Sequence, residues 1–519
     1  MKECSLIPIP LSYEPRPGVC RLGAGSPVRG PGDWSAETNI LTHWMETALT
    51  GSPGRGHHEI PDRALASDSD ISGPAVAAVQ ILRDESIAGK EAYRLHIDPD
   101  GIRLWACDGA GVLRGAASIR ELLLSDGPAL RCAVIIDEPR FSWRGFMLDT
   151  ARNFFSIDFI EKMIDVAAMH KLNVFHWHLT DDQAWRLVLE SAPEVSARGG
   201  VRRDVRFQHP AYVGGVYTRA DVARVVGFAA ERHMMVVPEI ESPGHATALL
   251  ASHPEFCCRG GQASDLRFEP EYRFGIFDDI LCAGSDEVLA FCDRLADELC
   301  SLFPSAVVHM GGDEAPKDRW LACPRCNVRM KSERLLHEDG SPAPEKLQAW
   351  FMDRMAGIFA ARGRRMAGWD EVAEDGVDKS VLVLAWRGLG QGETAARQGY
   401  DVVMCPQTKA CYLDHKQQDL PEEPGQLGVC TLEDSYRFEP VPEGLSAEAS
   451  SHILGAQGNL WTELVYFGRQ AEYMLYPRLC ALSEVCWSPK SSRDFEGFMD
   501  RLKIHGARLD ALDVAWRRT

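Results

Sequence analysis

Two patterns of apolar and polar positions divide the chain near residue 140. Before it, short segments such as 92–97 and 101–105 alternate apolar and polar residues. This period of two predicts strands with one buried face. Residues 111–124 place apolar side chains at helical spacing and predict a helix. Residues 1–140 are therefore predicted to form a small N-terminal α+β domain.

From Trp143 onward, continuous apolar segments alternate with longer amphipathic helices. Eight segments are strand candidates: 144–149, 174–179, 235–240, 306–310, 365–369, 381–386, 402–405 and 453–460. Such strands are typical of a buried parallel sheet, and eight strand–helix units predict an α/β fold, a (β/α)8 TIM barrel over residues 141–490. Residues 491–519 predict a C-terminal helical segment. A doubly wound open sheet is the alternative, but no G-x-G-x-x-G follows the first strand.

The length, charge and N-terminal residues of the chain narrow the range of functions that it can have. The chain has 519 residues, too many for one compact core, and a net charge of -19 from 56 Lys+Arg and 75 Asp+Glu. An acidic surface repels phosphate and anionic lipid, so nucleic-acid and membrane-surface roles are disfavoured. The first residues lack a basic start followed by a long apolar run. The expected location is the cytoplasm if this N-terminus is native, and the periplasm or the exterior if a signal was removed.

Sixteen cysteines are scattered along the chain and are predicted to be mostly buried thiols. Cys323-Pro-Arg-Cys326 has the spacing of one half of a zinc ribbon. No second C-x-x-C or His pair follows it, so no metal site is predicted. Cys257, Cys258 and Cys282 could include a disulfide pair, which the sequence does not decide.

Active sites of TIM barrels lie at the carboxyl ends of the strands. Carboxylates, histidines and tryptophans collect at these ends. In strand order they are Asp149 and Arg152; His176, His178 and Asp181; Glu239 and His245; Asp313 and Glu314; Trp369; Trp386; Tyr412 and Asp414; Trp461 and Glu463. Carboxylates transfer protons and stabilise cations, and indole faces pack against sugar rings. The set indicates a carbohydrate substrate and an oxocarbenium-like transition state.

The segment His309-Met-Gly-Gly-Asp313-Glu314 is the sharpest feature. Its glycines permit a tight bend at a strand end. On a regular strand the two carboxylates would point to opposite faces, whereas at a bend both can reach one pocket. Like charges at close range raise one pKa, which predicts a protonated acid beside an ionised carboxylate. The alternative, a solvated acidic loop, is disfavoured by the buried-strand pattern before it.

Segment 309–315 resembles the signature of family-20 glycoside hydrolases, the β-N-acetylhexosaminidases. Segments 148–154, 173–182, 238–245, 368–371, 386–388 and 460–463 resemble further motifs of this family, in the same order. Residues 1–140 are similar to the α+β domain that precedes the barrel in this family.

The resemblance implies exo-acting removal of terminal β-linked GlcNAc or GalNAc, with the substrate's acetamido group as nucleophile and an oxazolinium intermediate. Glu314 would be the general acid and then the base, Asp313 would hold the acetamido N–H, and Tyr412 would hydrogen-bond its carbonyl. The implied substrate-binding residues are Arg152, Asp181, His245, Trp369, Trp386, Asp414, Trp461 and Glu463. The implied partners are glycans or glycoconjugates that contain N-acetylhexosamine, without a cofactor or metal.

Two positions depart from the family. Glu241 stands where Asp is usual, and its extra methylene is expected to alter the support of His245. Segment 420–436 contains no Trp, where some members have one. A more open rim is therefore expected on that side.

Two other functions compete with this one. His176 and His178 share one face of a strand, as in metal-dependent barrel hydrolases. Such a site needs further histidines at later strand ends, where this chain has Trp, Arg and Glu instead, so a structural pair is favoured. A catalytically weak glycan-binding protein would keep the tryptophans and lose the acid, but Glu314 is present.

Overall fold

The computed structural model describes residues 4–51, 77–205, 211–259, 266–374, 376–408 and 410–519. The strands are β1 (Ser12–Arg21), β2 (Val28–Arg29), β3 (Ala78–Arg83), β4 (Tyr93–Asp98), β5 (Gly101–Ala106), β6 (Ala129–Asp137), β7 (Trp143–Asp149), β8 (Val174–His178), β9 (Thr180–Asp181), β10 (Ala184–Trp185), β11 (Val201–Asp204), β12 (Ala211–Gly214), β13 (Met235–Ser242), β14 (Val307–Gly311), β15 (Arg365–Trp369), β16 (Leu382–Ala385), β17 (Val402–Met404), β18 (His415–Lys416), β19 (Gln426–Val429) and β20 (Ile453–Leu460).

The helices are α1 (Ser35–Thr50), α2 (Gly109–Asp126), α3 (Ile157–Met169), α4 (Pro193–Gly199), α5 (Arg219–Glu231), α6 (Thr247–Leu250), α7 (Asp286–Leu302), α8 (Asp318–Ala322), α9 (Pro324–Ser332), α10 (Pro344–Ala360), α11 (Glu371–Glu374), α12 (Leu389–Arg397), α13 (Leu432–Arg437), α14 (Ala447–Ser451), α15 (Gly468–Leu475), α16 (Arg478–Trp487) and α17 (Phe495–Ala511). Among the described residues, no helix is both long enough and apolar enough to cross a membrane.

The N-terminal part is a six-stranded sheet in the order β1-β6-β4-β5-β3-β2, with α2 packed against it. Burial alternates along β4, as its sequence pattern predicts. Asp108 caps α2 by accepting a hydrogen bond of 2.7 Å from the backbone N–H of Gly111. A Cβ at Gly115 would lie 2.3 Å from Leu104 Cδ1, so glycine permits the close approach of helix and sheet.

The remaining large sheet is a closed barrel of parallel strands in the order β7-β8-β13-β14-β15-β16-β17-β20. These are the eight predicted strands, each with ends within two residues of the predicted ones, and the TIM-barrel prediction is confirmed. The open-sheet alternative is wrong, because β20 pairs with β7 and closes the ring. At this seam a Cβ on Gly455 would lie 1.9 Å from Trp143 O, so the closure requires glycine.

Asp137, the last residue of β6, joins the N-terminal sheet to the barrel. Its Oδ2 accepts hydrogen bonds from Lys171 Nζ at 2.7 Å and from the Tyr93 hydroxyl at 2.8 Å. Its Oδ1 accepts one from Trp487 Nε1 at 2.9 Å. Lys171 lies between α3 and β8, and Trp487 ends α16. One buried carboxylate therefore connects three separate parts of the chain.

The C-terminal helix α17 packs against α2 of the N-terminal part. Arg508 donates to Glu121 Oε2 at 2.8 Å and to the backbone oxygen of Ser5 at the same distance, and the side chains of Arg508 and Glu121 are fully buried. The buried ion pair thus holds α17 to α2, and the hydrogen bond to Ser5 holds α17 to the segment that precedes β1.

We expect Asp137→Ala to lower the free energy of unfolding by about 3–5 kcal/mol, because it leaves the Lys171 ammonium, 1% exposed, without its counter-charge. Thermal unfolding monitored by circular dichroism measures the change. The control is Asp500→Ala, which removes an exposed ion pair with Lys503 and should leave Tm almost unchanged. Equal, small effects of both variants would contradict the connecting role of Asp137.

Candidate active site

A cavity of about 340 Å³ opens at the carboxyl ends of the barrel strands. Thirteen residues line it: Arg152, His245, Asp313, Glu314, Trp369, Trp386, Tyr412, Asp414, His415, Gln426, Gly428, Trp461 and Glu463. Ten of the eleven predicted catalytic and substrate-binding residues are among them. They come from widely separated parts of the sequence and meet because the strands are parallel and the barrel is closed.

The end of β14 bends sharply into the cavity. Gly311 and Gly312 have φ of +66° and +98°, and Glu314 has φ of +46°. A left-handed conformation is uncommon for a residue with a side chain, so local strain is held at this position. Gln348 Nε2 donates to Gly312 O at 2.8 Å and secures the bend from behind. The predicted tight bend therefore exists, and both Asp313 and Glu314 line the cavity.

His245 lies between the two carboxylates. Its Nε2 is 3.6 Å from both Asp313 Oδ2 and Glu314 Oε2. Burial raises the pKa of Asp313 although His245 opposes it. At His245, burial is outweighed by Asp181 and other carboxylates, and its pKa is raised well above the ordinary value. The site therefore combines an imidazolium with two carboxyl groups on adjacent residues.

Asp181 lies behind the cavity and does not line it. Its Oδ2 is 2.8 Å from Arg152 Nη2 and 3.0 Å from His178 Nε2, and its Oδ1 is 3.3 Å from His245 Nδ1. The side chain of Asp181 is 1% exposed. Asp181, which was predicted to bind substrate, therefore lies behind the cavity lining, where its carboxylate contacts Arg152 and His245.

The Asp149 carboxylate connects the residues that follow β7 with those that follow β20. Its Oδ1 accepts hydrogen bonds from the backbone N–H groups of Ala151 at 2.8 Å and Arg152 at 3.0 Å. Its Oδ2 accepts one from the backbone N–H of Thr462 at 3.1 Å. Arg152 and the segment with Trp461 and Thr462 are consequently fixed relative to each other by one buried carboxylate.

Aromatic rings form the walls. The centroids of Trp369 and Trp461 are 5.8 Å apart, and Tyr412 stacks with Trp386 at 6.4 Å with an interplanar angle of 14°. Trp386 Nε1 donates to Glu371 Oε2 at 3.0 Å, which orients the indole. Burial raises the pKa of Glu371 to about 8. Glu371 is a supporting residue that the sequence placed at a strand end without giving it a role.

Four buried polar atoms of the cavity residues have no hydrogen-bond partner within the described protein: Asp313 Oδ1, Trp369 Nε1, Asp414 Oδ1 and Glu463 Oε2. Burial raises the pKa of both Asp414 and Glu463. Buried polar groups without partners are costly, and those that line a cavity can be satisfied by a ligand. The arrangement therefore fits a ligand that carries several hydroxyl and amide groups.

His415, Gln426 and Gly428 line the cavity but were not predicted. They belong to the short pairing of β18 with β19, where a Cβ on Gly428 would lie 2.4 Å from His415 Nδ1. Burial lowers the pKa of His415 to about 4. This is the side where the sequence lacks a Trp and an open rim was expected. Gly425, which precedes β19, and Gly428, which lies within it, were the available signal.

His176 and His178 lie below the cavity and do not line it. His176 Nε2, His178 Nδ1 and His309 Nδ1 lie 3.1, 2.5 and 2.8 Å from the Glu239 carboxylate, and all four side chains are fully buried. Burial lowers the pKa of His176 to about 4. At His178, burial is outweighed by Glu239 and Asp181, and the pKa rises to about 10. Both histidines are thus buried contacts of the Glu239 carboxylate away from the cavity, which favours the structural pair.

Glu241 lies beneath the bend at Gly311. Neither of its carboxyl oxygens has a hydrogen-bond partner among the described residues, and burial raises its pKa well above the ordinary value. A Cβ on Gly311 would lie 2.0 Å from Glu241 Oε2. His245 is held instead by Asp181 and by Asp182, whose Oδ2 is 3.1 Å from His245 Nδ1. The longer side chain therefore fills space under the bend.

The model of glycosyl hydrolase family 20, catalytic domain, matches residues 141–490, and the model of domain 2 of the same family matches residues 3–138. The chain belongs to glycosyl hydrolase family 20. The resemblance seen in the motifs is thereby confirmed for the family and the fold.

Relatives and solved structures agree with the family-20 assignment. The chain is 38% identical to a β-hexosaminidase of Porphyromonas gingivalis over 84% of its length, but spans only 56% of that relative. It is 34% identical to a β-hexosaminidase of Vibrio furnissii over 92% of its length and 76% of that relative. The Vibrio harveyi exo β-N-acetylglucosaminidase in complex with N-acetylglucosamine superposes with a TM-score of 0.84 at 27% identity, covering 99% of this chain and 78% of that one.

We expect Gly311→Ala to destabilise this family-20 protein by about 3 kcal/mol or more, because the left-handed backbone and the clash with Glu241 act together. The matched control is Gly340→Ala, which has φ of +83° but nothing within 4 Å of its Cβ and should cost only about 1–2 kcal/mol. Tm measures both. If Gly311→Ala matched its control, the close packing of Glu241 under the bend would be wrong.

Proposed function

We propose that this chain is an exo-acting β-N-acetylhexosaminidase that removes terminal β-linked GlcNAc or GalNAc from glycans. The observation that carries the proposal is the unpaired, buried Asp313 Oδ1 beside Glu314, in a cavity whose walls are aromatic rings. An unpaired carboxylate oxygen can accept the N–H of an acetamido group. A cavity of about 340 Å³ is at the small end of the range for ligand pockets, which favours one terminal sugar over an internal one.

In the first step, Glu314 donates its proton to the glycosidic oxygen as the bond from that oxygen to C1 breaks. The carbonyl oxygen of the substrate's acetamido group forms a bond to C1 and yields an oxazolinium ring. Asp313 accepts the N–H and stabilises the positive charge. Tyr412 is neutral, since burial raises its pKa well above the ordinary value, and its hydroxyl donates to the acetamido oxygen.

In the second step, the Glu314 carboxylate takes a proton from water while the water oxygen forms a bond to C1 and the oxazolinium ring opens. Two displacements at C1 give net retention of configuration. No enzyme carboxylate needs to reach C1, because the nucleophile belongs to the substrate and its effective concentration is high. Arg152, Asp414 and Glu463 bind ring hydroxyls.

Acetamido dependence tests the nucleophile. We expect kcat/KM for an aryl β-N-acetylglucosaminide to exceed that for the aryl β-glucoside by at least about 10³-fold, because the glucoside lacks the nucleophile. Successive fluorination of the acetyl group should lower kcat stepwise, since fluorine withdraws electrons from the carbonyl oxygen. Initial rates with one aryl leaving group throughout provide the measurement. Equal rates for the glucoside would eliminate substrate assistance.

Leaving-group dependence tests the acid. We expect Glu314→Gln to lose about 10²–10⁴-fold in kcat on a disaccharide and much less on a dinitrophenyl glycoside, whose leaving group needs no proton. The control Glu338→Gln changes an exposed residue outside the cavity and should leave both rates unchanged. Equal losses of Glu314→Gln on the two substrates would remove the acid role.

A further inference from the structure

Four cysteines from two loops meet outside the active-site cavity. Cys258 and Cys282 belong to the long connection between β13 and α7, Cys323 lies between α8 and α9, and Cys326 lies in the first turn of α9. Cys282, Cys323 and Cys326 are at most 2% exposed, and Cys258 is 8% exposed. The sequence showed only the Cys323–Cys326 half and found no partner after it, because both partners precede it in the chain.

The distances between the sulfurs are those of a tetrahedral metal site. Cys258 Sγ lies 3.7 Å from Cys326 Sγ, and Cys282 Sγ lies 3.6 Å from Cys326 Sγ and 3.8 Å from Cys323 Sγ. All four sulfurs lie within 4.8 Å of one another. Four ligands at a Zn–S distance of about 2.3 Å form a tetrahedron with edges of about 3.8 Å. A disulfide would need about 2.05 Å, so the disulfide considered from the sequence is absent, and all sixteen cysteines are free.

The backbone around the sulfurs is built to hold them. The backbone N–H of Cys282 donates to Phe256 O at 2.8 Å, and Cys257 forms a bridge with Leu281, which aligns the two ends of the first loop. A Cβ on Gly284 would lie 2.4 Å from Cys326 N, so glycine permits the two loops to touch.

We propose that Cys258, Cys282, Cys323 and Cys326 bind one structural Zn²⁺. Binding releases four protons, since Zn²⁺ and four thiols give a tetrathiolate complex of charge -2. Four protein ligands complete the tetrahedron, and no position is left for a water or substrate, which is the arrangement of structural zinc. Arg325, whose Nη2 donates to Cys257 O at 2.7 Å, places a positive charge beside the complex.

The site connects the loops that follow β13 and β14. The backbone N–H of Leu281 donates to Pro243 O at 2.9 Å, two residues before His245, and Trp320 Nε1 donates to Leu281 O at 2.9 Å. His245 and Glu314 stand at the starts of these two loops. Zinc would therefore limit the relative movement of the two side chains, although it takes no part in the proposed reaction.

The first test is metal content. We expect the full chain, purified without a metal-affinity tag or chelator, to contain one Zn per chain when its metal content is measured by inductively coupled plasma mass spectrometry. Cys323→Ser and Cys282→Ser should each lower this to less than about 0.2. The matched control Cys257→Ser removes a buried thiol next to Cys258 that lies outside the cluster, and it should retain one Zn.

The absorption spectrum of the cobalt-substituted protein and the change in Tm on zinc removal test the site independently of its metal content. Exchange of zinc for Co²⁺ should give the visible absorption bands of tetrahedral thiolate-bound cobalt in the wild type and in Cys257→Ser only. Removal of zinc by a mercurial reagent should lower Tm by about 5 °C or more, because metal-binding energy contributes to folding. If Cys323→Ser does not fold, the cobalt spectrum of the wild type still tests the site.

Wild-type protein without bound zinc, with all four thiols free to alkylation or paired as disulfides, would overturn the proposal. Bound iron in place of zinc would overturn the assignment of the metal. These results do not depend on glycosidase activity, so failure of the zinc proposal and failure of the proposed function are distinguishable.

Discussion

Closure of the barrel is the constraint on which the rest of the structure depends. Eight parallel strands place all their carboxyl ends on one rim only if β20 returns to pair with β7, and Gly455 permits that pairing because any side chain there would collide with Trp143. The carboxylate of Asp149 then bridges the first and last strand ends. In an open sheet, these two ends would lie on opposite edges, and Arg152 could not share a cavity with Glu463.

The cavity at the carboxyl ends of the strands contains unpaired polar atoms and strained backbone, both of which oppose folding. The buried side chains below the cavity offset this cost. Unpaired atoms on Asp313, Asp414 and Glu463 and the left-handed backbone of Glu314 oppose folding. Below them, Glu239 accepts contacts from three histidines within 3.1 Å, and all of these side chains are fully buried. The features that suit the cavity to a sugar are thus supported by a buried cluster of side chains that does not line the cavity.

The sequence predicted the barrel because its strands are continuous apolar segments, and it predicted most of the cavity because the fold fixes where strand ends lie. The sequence did not locate residues whose position depends on local turns. Asp181 follows a strand end, but the short strand β9 turns its carboxylate behind Arg152. His415 and Gln426 lie on short strands without an apolar period, so the apolar pattern did not mark them and only the nearby glycines hinted at a close approach. The four clustered cysteines come from two loops, and only folding reveals that they meet.

The barrel fixes the positions of the strand ends. The proposed reaction also requires the loops that follow β13 and β14 to keep their positions relative to each other. His245 and Glu314 belong to different loops, yet His245 Nε2 lies 3.6 Å from the Glu314 carboxylate. The hydrogen bonds from Gln348 to Gly312 and from Leu281 to Pro243 hold each loop at its start, and the bond from Trp320 to Leu281 joins the two loops. The cysteine cluster lies farther along both loops and joins them directly. Because a tetrahedral centre fixes four chain positions at once, it restrains these loops at a point where the barrel strands no longer do.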